Sequence, residues 1–235
     1  MKKLLLFCFT CCLAMGAFAQ DTVAKKNSIG KFDEQFMVLK ADKKVKQGSY
    51  RLFTDKKLVA AGNYTQGKRT GIWNFYNGDA LEQQYDYTNN KLIMDVPGRG
   101  LTCEVESANP GDSVKKAVKV GGFNSFRLMI ASTDFESQVS GGGKITHALT
   151  IDENGQIKSW VASVKNADGL KMVTQSAAEV PAEIVQFIPA MLNGKPVVST
   201  ITFNAEMNGQ KGADATDDNG KPKTRGGGGG RRGGE

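Results

Sequence analysis

The segment from Gly48 to Lys91 repeats itself when it is shifted by 23 residues. The coinciding positions are mostly glycines and aromatics, and they pair Gly48 with Gly71, Tyr50 with Trp73, Phe53 with Tyr76, Leu58 with Leu81, Tyr64 with Tyr87, Thr65 with Thr88 and Lys68 with Lys91. A short fixed period of this kind indicates a supersecondary unit that stacks or meanders. The repeat therefore restricts this part of the chain to two copies of one local structure.

Each copy has the pattern of a β-hairpin. A strand is predicted from Gly71 to Tyr76, followed by a turn at Asn77-Gly78-Asp79 and a returning strand from Leu81 to Tyr87. Gln66-Gly67 predicts a further turn, because both residue types tolerate positive φ, and residues 55–57 form the corresponding turn of the first copy. The repeat therefore predicts an antiparallel β meander.

One aromatic residue falls on each successive strand of this meander: Tyr50, Tyr64, Trp73 and Tyr87. We call these four residues the aromatic ladder, because rings on neighbouring strands lie next to each other across a sheet. The ladder is either a recognition surface, for example for a glycan, or ordinary core packing. Packing is favoured, since aromatic side chains commonly form the core of a sheet.

The order of residues in the second copy is similar to the MORN-repeat-variant family. The matching positions are a glycine, two aromatics and an Asn-Gly turn, at Gly71, Trp73, Tyr76 and Asn77-Gly78. The resemblance implies a binding or spacing sheet that carries no chemistry. We assign residues 34–95 to this repeat, with residues 34–47 as a hypothetical degenerate copy.

The C-terminal half predicts a second, mixed domain over residues 115–210, after a Pro- and Gly-containing linker over residues 96–114. The apolar spacing predicts two helices and three strands, which are a helix over 122–131, strands over 145–151 and 156–164, a helix over 182–191 and a last strand over 197–206. We therefore expect an α+β protein, in which an antiparallel β meander precedes a small three-stranded antiparallel sheet covered by helices.

This half of the chain resembles the C-terminal domain of TonB-type energy transducers. The matching segments are Gly121-Gly122 with Phe126, residues 151–155, Ile188-Pro189-Ala190 and Asn193-Gly194-Lys195-Pro196-Val197. The resemblance implies that a sheet edge pairs with an extended receptor segment by β-augmentation. The last strand would supply that edge, and its candidate residues are Val197, Val198, Ile201 and Phe203. The family's Tyr-Pro is missing, and 6 prolines in the whole chain do not make the long proline-rich span of a transducer.

The two ends of the chain predict export and a polar tail. Residues 1–19 have the basic start, apolar run and Ala-x-Ala end of a signal peptide, which predicts cleavage between Ala19 and Gln20 and a periplasmic or secreted, soluble protein. An uncleaved anchor is the alternative, but the apolar run is shorter than a bilayer requires. Cleavage leaves Cys103 as the single cysteine, so no internal disulfide is expected.

Residues 211–235 form a Gly/Arg-rich tail that has too few apolar residues to fold, so disorder is predicted. The signal and the tail supply more than half of the net charge of +7, which leaves a body close to neutral. The tail also lacks the aromatics that accompany arginine in nucleic-acid-binding segments. Nucleic acid is therefore not an expected partner.

The composition offers little catalytic chemistry. His147 is the single histidine and lies in a predicted strand, so it has no partners for a triad or for a His/Cys zinc site. Gly141-Gly142-Gly143-Lys144 precedes a strand rather than the helix that follows a phosphate-binding loop. We expect no enzyme activity, cofactor or metal site.

These observations predict a non-enzymatic, exported envelope protein. Its repeat sheet and TonB-like domain would mediate protein–protein or cell-envelope binding, and the expected partner is an envelope or outer-membrane protein. A glycan held by the aromatic ladder is a further hypothesis. The alternative function is an accessory role in TonB-type outer-membrane transport, by docking of receptor segments through β-augmentation.

Overall fold

The computed structural model describes residues 21–96, 100–139, 143–166, 169–178 and 180–207. The predicted signal peptide (1–19) and the predicted disordered tail (211–235) lie outside the described residues. The chain divides into two units. Unit 1 holds the described residues up to 96 together with Gly121–Leu128, and unit 2 holds those from 100 to 120 and from Met129 onward.

Unit 1 contains a seven-stranded sheet in which each strand pairs with the next one along the chain, always antiparallel. Its strands are β1 (Thr22–Ile29), β2 (Phe32–Leu39), β3 (Lys46–Thr54), β4 (Lys57–Thr65), β5 (Lys68–Asn77), β6 (Ala80–Asp86) and β7 (Lys91–Asp95). The predicted meander is therefore present, and it begins one hairpin earlier than the repeat indicated.

Two-residue turns set the register of the repeat hairpins. Asp55 and Lys56 connect β3 to β4 with φ of 49° and 64°, and Gln66 and Gly67 connect β4 to β5 with φ of 50° and 76°. Positive φ at both turn positions matches the right-handed twist of the flanking strands. The turns predicted from the sequence at these positions are confirmed.

A β-bulge occurs at the equivalent position of both copies of the repeat. The register shifts between Leu52 and Phe53 on β3, and it shifts again between Phe75 and Tyr76 on β5, 23 residues later. The extra residue on the partner strand is Val59 in the first case and Glu82 in the second. A bulge re-aims the side chains beside it, and Val59 and Glu82 are both buried.

Unit 2 contains a five-stranded sheet with the order β13-β12-β11-β17-β8 and several two- or three-residue strands. The strands of the large sheet are β8 (Leu101–Glu104), β11 (Gly143–Ile151), β12 (Ile157–Asn166), β13 (Gly169–Thr174) and β17 (Ser199–Met207). The short strands are β9 (Val114–Lys115), β10 (Val118–Lys119), β14 (Phe187–Ile188), β15 (Ala190–Leu192) and β16 (Lys195–Val197). All neighbours in these sheets are antiparallel.

The helical content is small. α1 spans Gly122–Ala131, as the apolar spacing predicted, and α2 is a single turn at Phe135–Gln138. Phe135 and Val139 pack with Ile145, Ala162, Val164 and Val173 on one face of the large sheet. The other face carries residues such as Thr146, Ser163 and Thr202, which are not buried.

The expected α+β fold with a three-stranded sheet covered by helices is wrong. Of the described residues, 59% are in strands and 7% in helix, so the protein is β-rich. The predicted helix over 182–191 accounts for much of the error. Ile184 and Val185 donate to carbonyls three residues earlier, as in turns, and Pro189 separates the short strands β14 and β15.

A physical reason for the missing helix is visible at Pro189 and Lys119. Pro189 has no N–H to donate and its ring opposes a helical turn before it. The buried Lys119 ammonium donates to the Ile184 carbonyl (2.5 Å) and to the Val120 carbonyl (2.9 Å). The Ile184 carbonyl therefore accepts from a side chain instead of from a backbone N–H of a helix. The apolar residues at helical spacing therefore enter turns and short strands.

Candidate functional site

The aromatic ladder is an interior cluster of unit 1. Tyr50, Tyr64 and Trp73 are buried, and the Trp73 side chain is 0% exposed. The Trp73 ring centroid lies 5.2 Å from that of Tyr50, 5.3 Å from that of Tyr64 and 5.6 Å from that of Tyr87. Trp73 offers no exposed face on which a sugar ring could stack, so the geometry favours the packing interpretation.

Close approach of the backbone fixes the position of the Trp73 indole. A Cβ atom at Gly62 would lie 2.2 to 2.4 Å from the indole ring, which is far inside van der Waals contact. The indole N–H donates to the Asn63 carbonyl at 3.2 Å. Gly62 is therefore required for the indole to lie against β4.

Lys46 lies over two rings of the aromatic ladder and over the neighbouring ring of Phe36. Its ammonium is 5.0 Å from the centroid of Phe36, 5.1 Å from that of Tyr50 and 5.0 Å from that of Tyr64. The same ammonium is 3.5 Å from the Glu34 carboxylate, which also accepts a hydrogen bond from the Tyr50 hydroxyl at 2.7 Å. Burial and the Glu34 charge raise the pKa of Tyr50, so this phenol stays protonated.

Arg69 occupies the same place in the second copy of the repeat. Its guanidinium is 4.4 Å from the Trp73 centroid and 5.4 Å from the Tyr87 centroid. It donates to the Tyr87 hydroxyl at 2.8 Å and to the Tyr64 hydroxyl at 3.3 Å. Cation–π attraction of this kind is stronger where water is partly excluded.

The 23-residue period of the sequence also includes these two cations, although the matching glycines and aromatics alone do not reveal them. Lys46 and Arg69 are themselves 23 residues apart, and each precedes its copy's aromatic by four residues, at Tyr50 and Trp73. The repeating unit is therefore a cation over a pair of rings, and not the rings alone.

A second polar cluster of unit 1 surrounds the start of α1. The Glu82 carboxylate accepts from the Phe123 backbone N–H at 3.2 Å, and Gln83 accepts from the Gly121 N–H at 2.6 Å. Burial raises the pKa of Glu82, although the Phe123 N–H opposes the rise. A carboxylate at a helix N-terminus satisfies donors that the helix leaves unpaired. Glu82 therefore has a structural role at α1.

The candidate edge residues do not form a sheet edge. Ile201 and Phe203 lie in β17, which pairs with β11 on one side and with β8 on the other. Both side chains are buried. Val197 lies at the end of the short strand β16, and Val198 lies between β16 and β17. The expectation of an edge at this strand is corrected, because β8 covers residues 200–203.

The large sheet has two edge strands, β8 and β13, and the exposed side chains of β8 are Thr102 and Glu104. Among the residues that the structure describes, β13 pairs with β12 alone, in a register that places Leu170 opposite Lys165 and Met172 opposite Ser163. Val173 points into the core, whereas Leu170 and Met172 are 69% and 61% exposed. Apolar side chains on an open strand edge favour pairing with another extended segment.

His147 and Cys103 both lie in unit 2. The buried His147 accepts from the Trp160 indole N–H at 3.1 Å through Nδ1, and burial lowers its pKa to about 4. Cys103 is half-buried, and its sulfur accepts from the Ala117 N–H at 3.3 Å. His147 therefore belongs to the interior packing of unit 2, whereas Cys103 lies half-buried on the edge strand β8.

One cavity of unit 2, about 610 Å³ in volume, has Gly155 and Phe187 in its lining. Its lining residues are small, apolar or amide side chains, among them Asn154, Gln156, Ala178 and Val185. Among the described residues, none of those that line this cavity is an acid or a base.

Within the described ranges, no three histidine, cysteine or acidic side chains are grouped so that they could hold a metal ion. No helix in that part of the chain is long and apolar enough to cross a membrane. No protein-family model matches the sequence, and no curated protein matches it either.

Proposed function

We propose that this chain is a non-enzymatic, exported envelope protein that binds other proteins, and that unit 2 captures an extended partner segment by strand addition at β13. The observation that carries the proposal is the open edge of β13 with its two exposed apolar side chains, Leu170 and Met172. Strand addition supplies affinity through backbone hydrogen bonds and specificity through alternate side chains.

The contrast between β13 and β1 supports this choice of edge. The edge strand β1 of unit 1 carries Lys25 and Lys26, both exposed. Charged side chains, lysine above all, commonly protect an edge from unwanted pairing. The exposed face of β13 carries leucine and methionine, which are 69% and 61% exposed, whereas Ile93 on the edge strand β7 is 46% exposed. β13 is therefore the edge with the most exposed apolar surface for a partner strand.

The expected partner segment is extended and has apolar residues at alternate positions. Leu170 and Met172 are two residues apart and therefore share a face of the strand. A partner strand would place every second side chain beside them, while its other side chains would face the opposite surface. The TonB resemblance favours the same mode of binding at a sheet edge, and export places the partner in the envelope.

Photo-cross-linking tests the proposal in the cells that naturally make the protein. With p-benzoylphenylalanine in place of Met172, we expect an adduct whose attachment point lies in an extended segment of an envelope protein. The same substitution at Ile93 is the matched control, because Ile93 is an exposed apolar residue (46%) on the edge strand β7. The purified adduct is expected to start at Gln20.

Two outcomes would contradict the proposal. Absence of an adduct from position 172 would remove β13 as the binding edge, and equal adducts from positions 172 and 93 would mean that the cross-linker reacts with any neighbouring protein.

A further inference from the structure

Arg69 is a positively charged group without a charged partner. Lys46 is neutralised by Glu34 at 3.5 Å, but no carboxylate in the described part of the chain pairs with Arg69. Its contacts there are two phenol hydroxyls and two aromatic ring faces. No ion pair among the described residues therefore balances the guanidinium charge of Arg69.

The hydrogen-bond donors around Arg69 also outnumber the acceptors. The Tyr64 and Tyr87 hydroxyls both accept from the guanidinium, and neither donates to an acceptor among the residues that the structure describes. Arg69 uses Nε and Nη1 in these bonds, so Nη2 has donors to spare. Partly buried donors without acceptors are costly unless a ligand or water supplies the oxygen atoms.

The surroundings keep this donor set in place. The Trp73 ring stacks under the guanidinium, and its centroid lies 5.6 Å from the centroid of the Tyr87 ring. Burial raises the pKa of Tyr87, so its hydroxyl keeps the proton that it would donate. Arg69 and Tyr87 remain partly exposed, so a small ligand can reach them.

We propose that Arg69, with the Tyr64 and Tyr87 hydroxyls, forms a binding site for a carboxylate group. The two tyrosine bonds leave one N–H on Nη1 and two on Nη2, so these two nitrogens present a pair of donors to the two oxygens of a carboxylate, and the Tyr87 hydroxyl adds a third donor. The site lies in unit 1 and does not depend on the β13 edge.

Acetate is the probe for this site, since it is a small ligand whose single polar group is a carboxylate. In a titration of the full chain at constant ionic strength, we expect saturable millimolar binding that shifts the NMR signals of the Arg69 Nε–H and the Trp73 indole N–H. Sodium chloride replaces acetate in the reference titration.

Three variants locate the binding. Arg69→Lys keeps the positive charge, and lysine is the residue at this position in the first copy of the repeat. The variant removes the paired N–H donors of the guanidinium, so acetate is expected to bind about tenfold more weakly. Tyr87→Phe keeps the ring and removes a donor, and about threefold weaker binding is expected. Arg51→Lys makes the same exchange at an exposed arginine and is expected to bind acetate as the parent does.

Unfolding of the Arg69→Lys protein would be seen in its circular dichroism, and Tyr87→Phe would then decide the question. An acetate response equal to that of chloride would overturn the proposal, and so would acetate affinity that neither variant weakens. Arg69-dependent binding of sulfate without binding of acetate would overturn the assignment to a carboxylate.

Discussion

Replacing Trp73 with alanine is expected to lower the free energy of unfolding of unit 1 by about 3 to 5 kcal/mol, the usual cost of truncating a buried aromatic side chain. The indole is fully enclosed and contacts Tyr50, Tyr64 and Tyr87. Its removal also leaves Arg69 without the ring beneath it. Urea unfolding followed by far-UV circular dichroism measures this loss.

Ile72→Ala is the matched control for the Trp73 substitution. Ile72 is the preceding residue on β5, and it is 52% exposed, so its truncation is expected to change stability by less than about 1 kcal/mol. The glycan hypothesis requires that Trp73→Ala folds normally and only loses glycan retention. A Trp73→Ala protein with the parent's urea midpoint would therefore contradict the interior position of the ladder.

Acidification from pH 7 to pH 4 is expected to destabilise unit 2 by about 3 kcal/mol through His147 alone. The side chain is 1% exposed, and burial lowers its pKa from 6.5 to about 4. The unfolded chain takes up a proton below about pH 6.5 and the folded chain does not, so stability is full above pH 6.5 and falls toward pH 4. Nδ1 accepts from Trp160, which leaves the proton of the neutral ring on Nε2.

The titration of His147 can be measured directly, because it is the single histidine of the chain. Its imidazole C–H signals in NMR are expected to stay unchanged from pH 7 to pH 5. The His147→Phe variant is expected to lose the corresponding pH dependence of urea stability, whatever its stability at pH 7. An imidazole that titrates near pH 6.5 in the folded protein would show that the ring is not enclosed.

The local structure of the repeat was predictable because its signals lie close together in the sequence. Gly67 and Gly78 mark tight turns, and the aromatics between them alternate as strands require. Strand β1 gave no such signal, because its polar run Lys25-Lys26-Asn27-Ser28 lacks an apolar face. Its place in the sheet depends on pairing with β2.

The errors arose where distant residues decide the structure. β8 pairs with β17 across about a hundred residues of sequence, which removed the expected edge at Ile201 and Phe203. Apolar residues at helical spacing over 182–191 were assigned to a helix, although Pro189 and the buried Lys119 favour short strands and turns. The spacing of apolar residues indicates which side chains are buried, but pairing with strands distant in the sequence determines whether those residues form a helix or a strand.

The polar clusters were missed for a related reason. The burial of Glu82 follows from a bulge in β6, and a bulge shifts side chains between faces without a marker in the sequence. The position of Arg69, in contrast, can be predicted from the sequence, because a shift of 23 residues aligns it with Lys46.

Strand addition at β13 can be measured by amide hydrogen exchange, because a new partner strand protects the backbone N–H groups of the edge. The probe is the partner segment recovered from the cross-link at position 172, added to the full chain. We expect slower exchange for the amides of Gly169–Thr174 that point away from β12, with no change at the edge strand β1. Binding that leaves the exchange of the β13 amides unchanged would contradict strand addition at this edge.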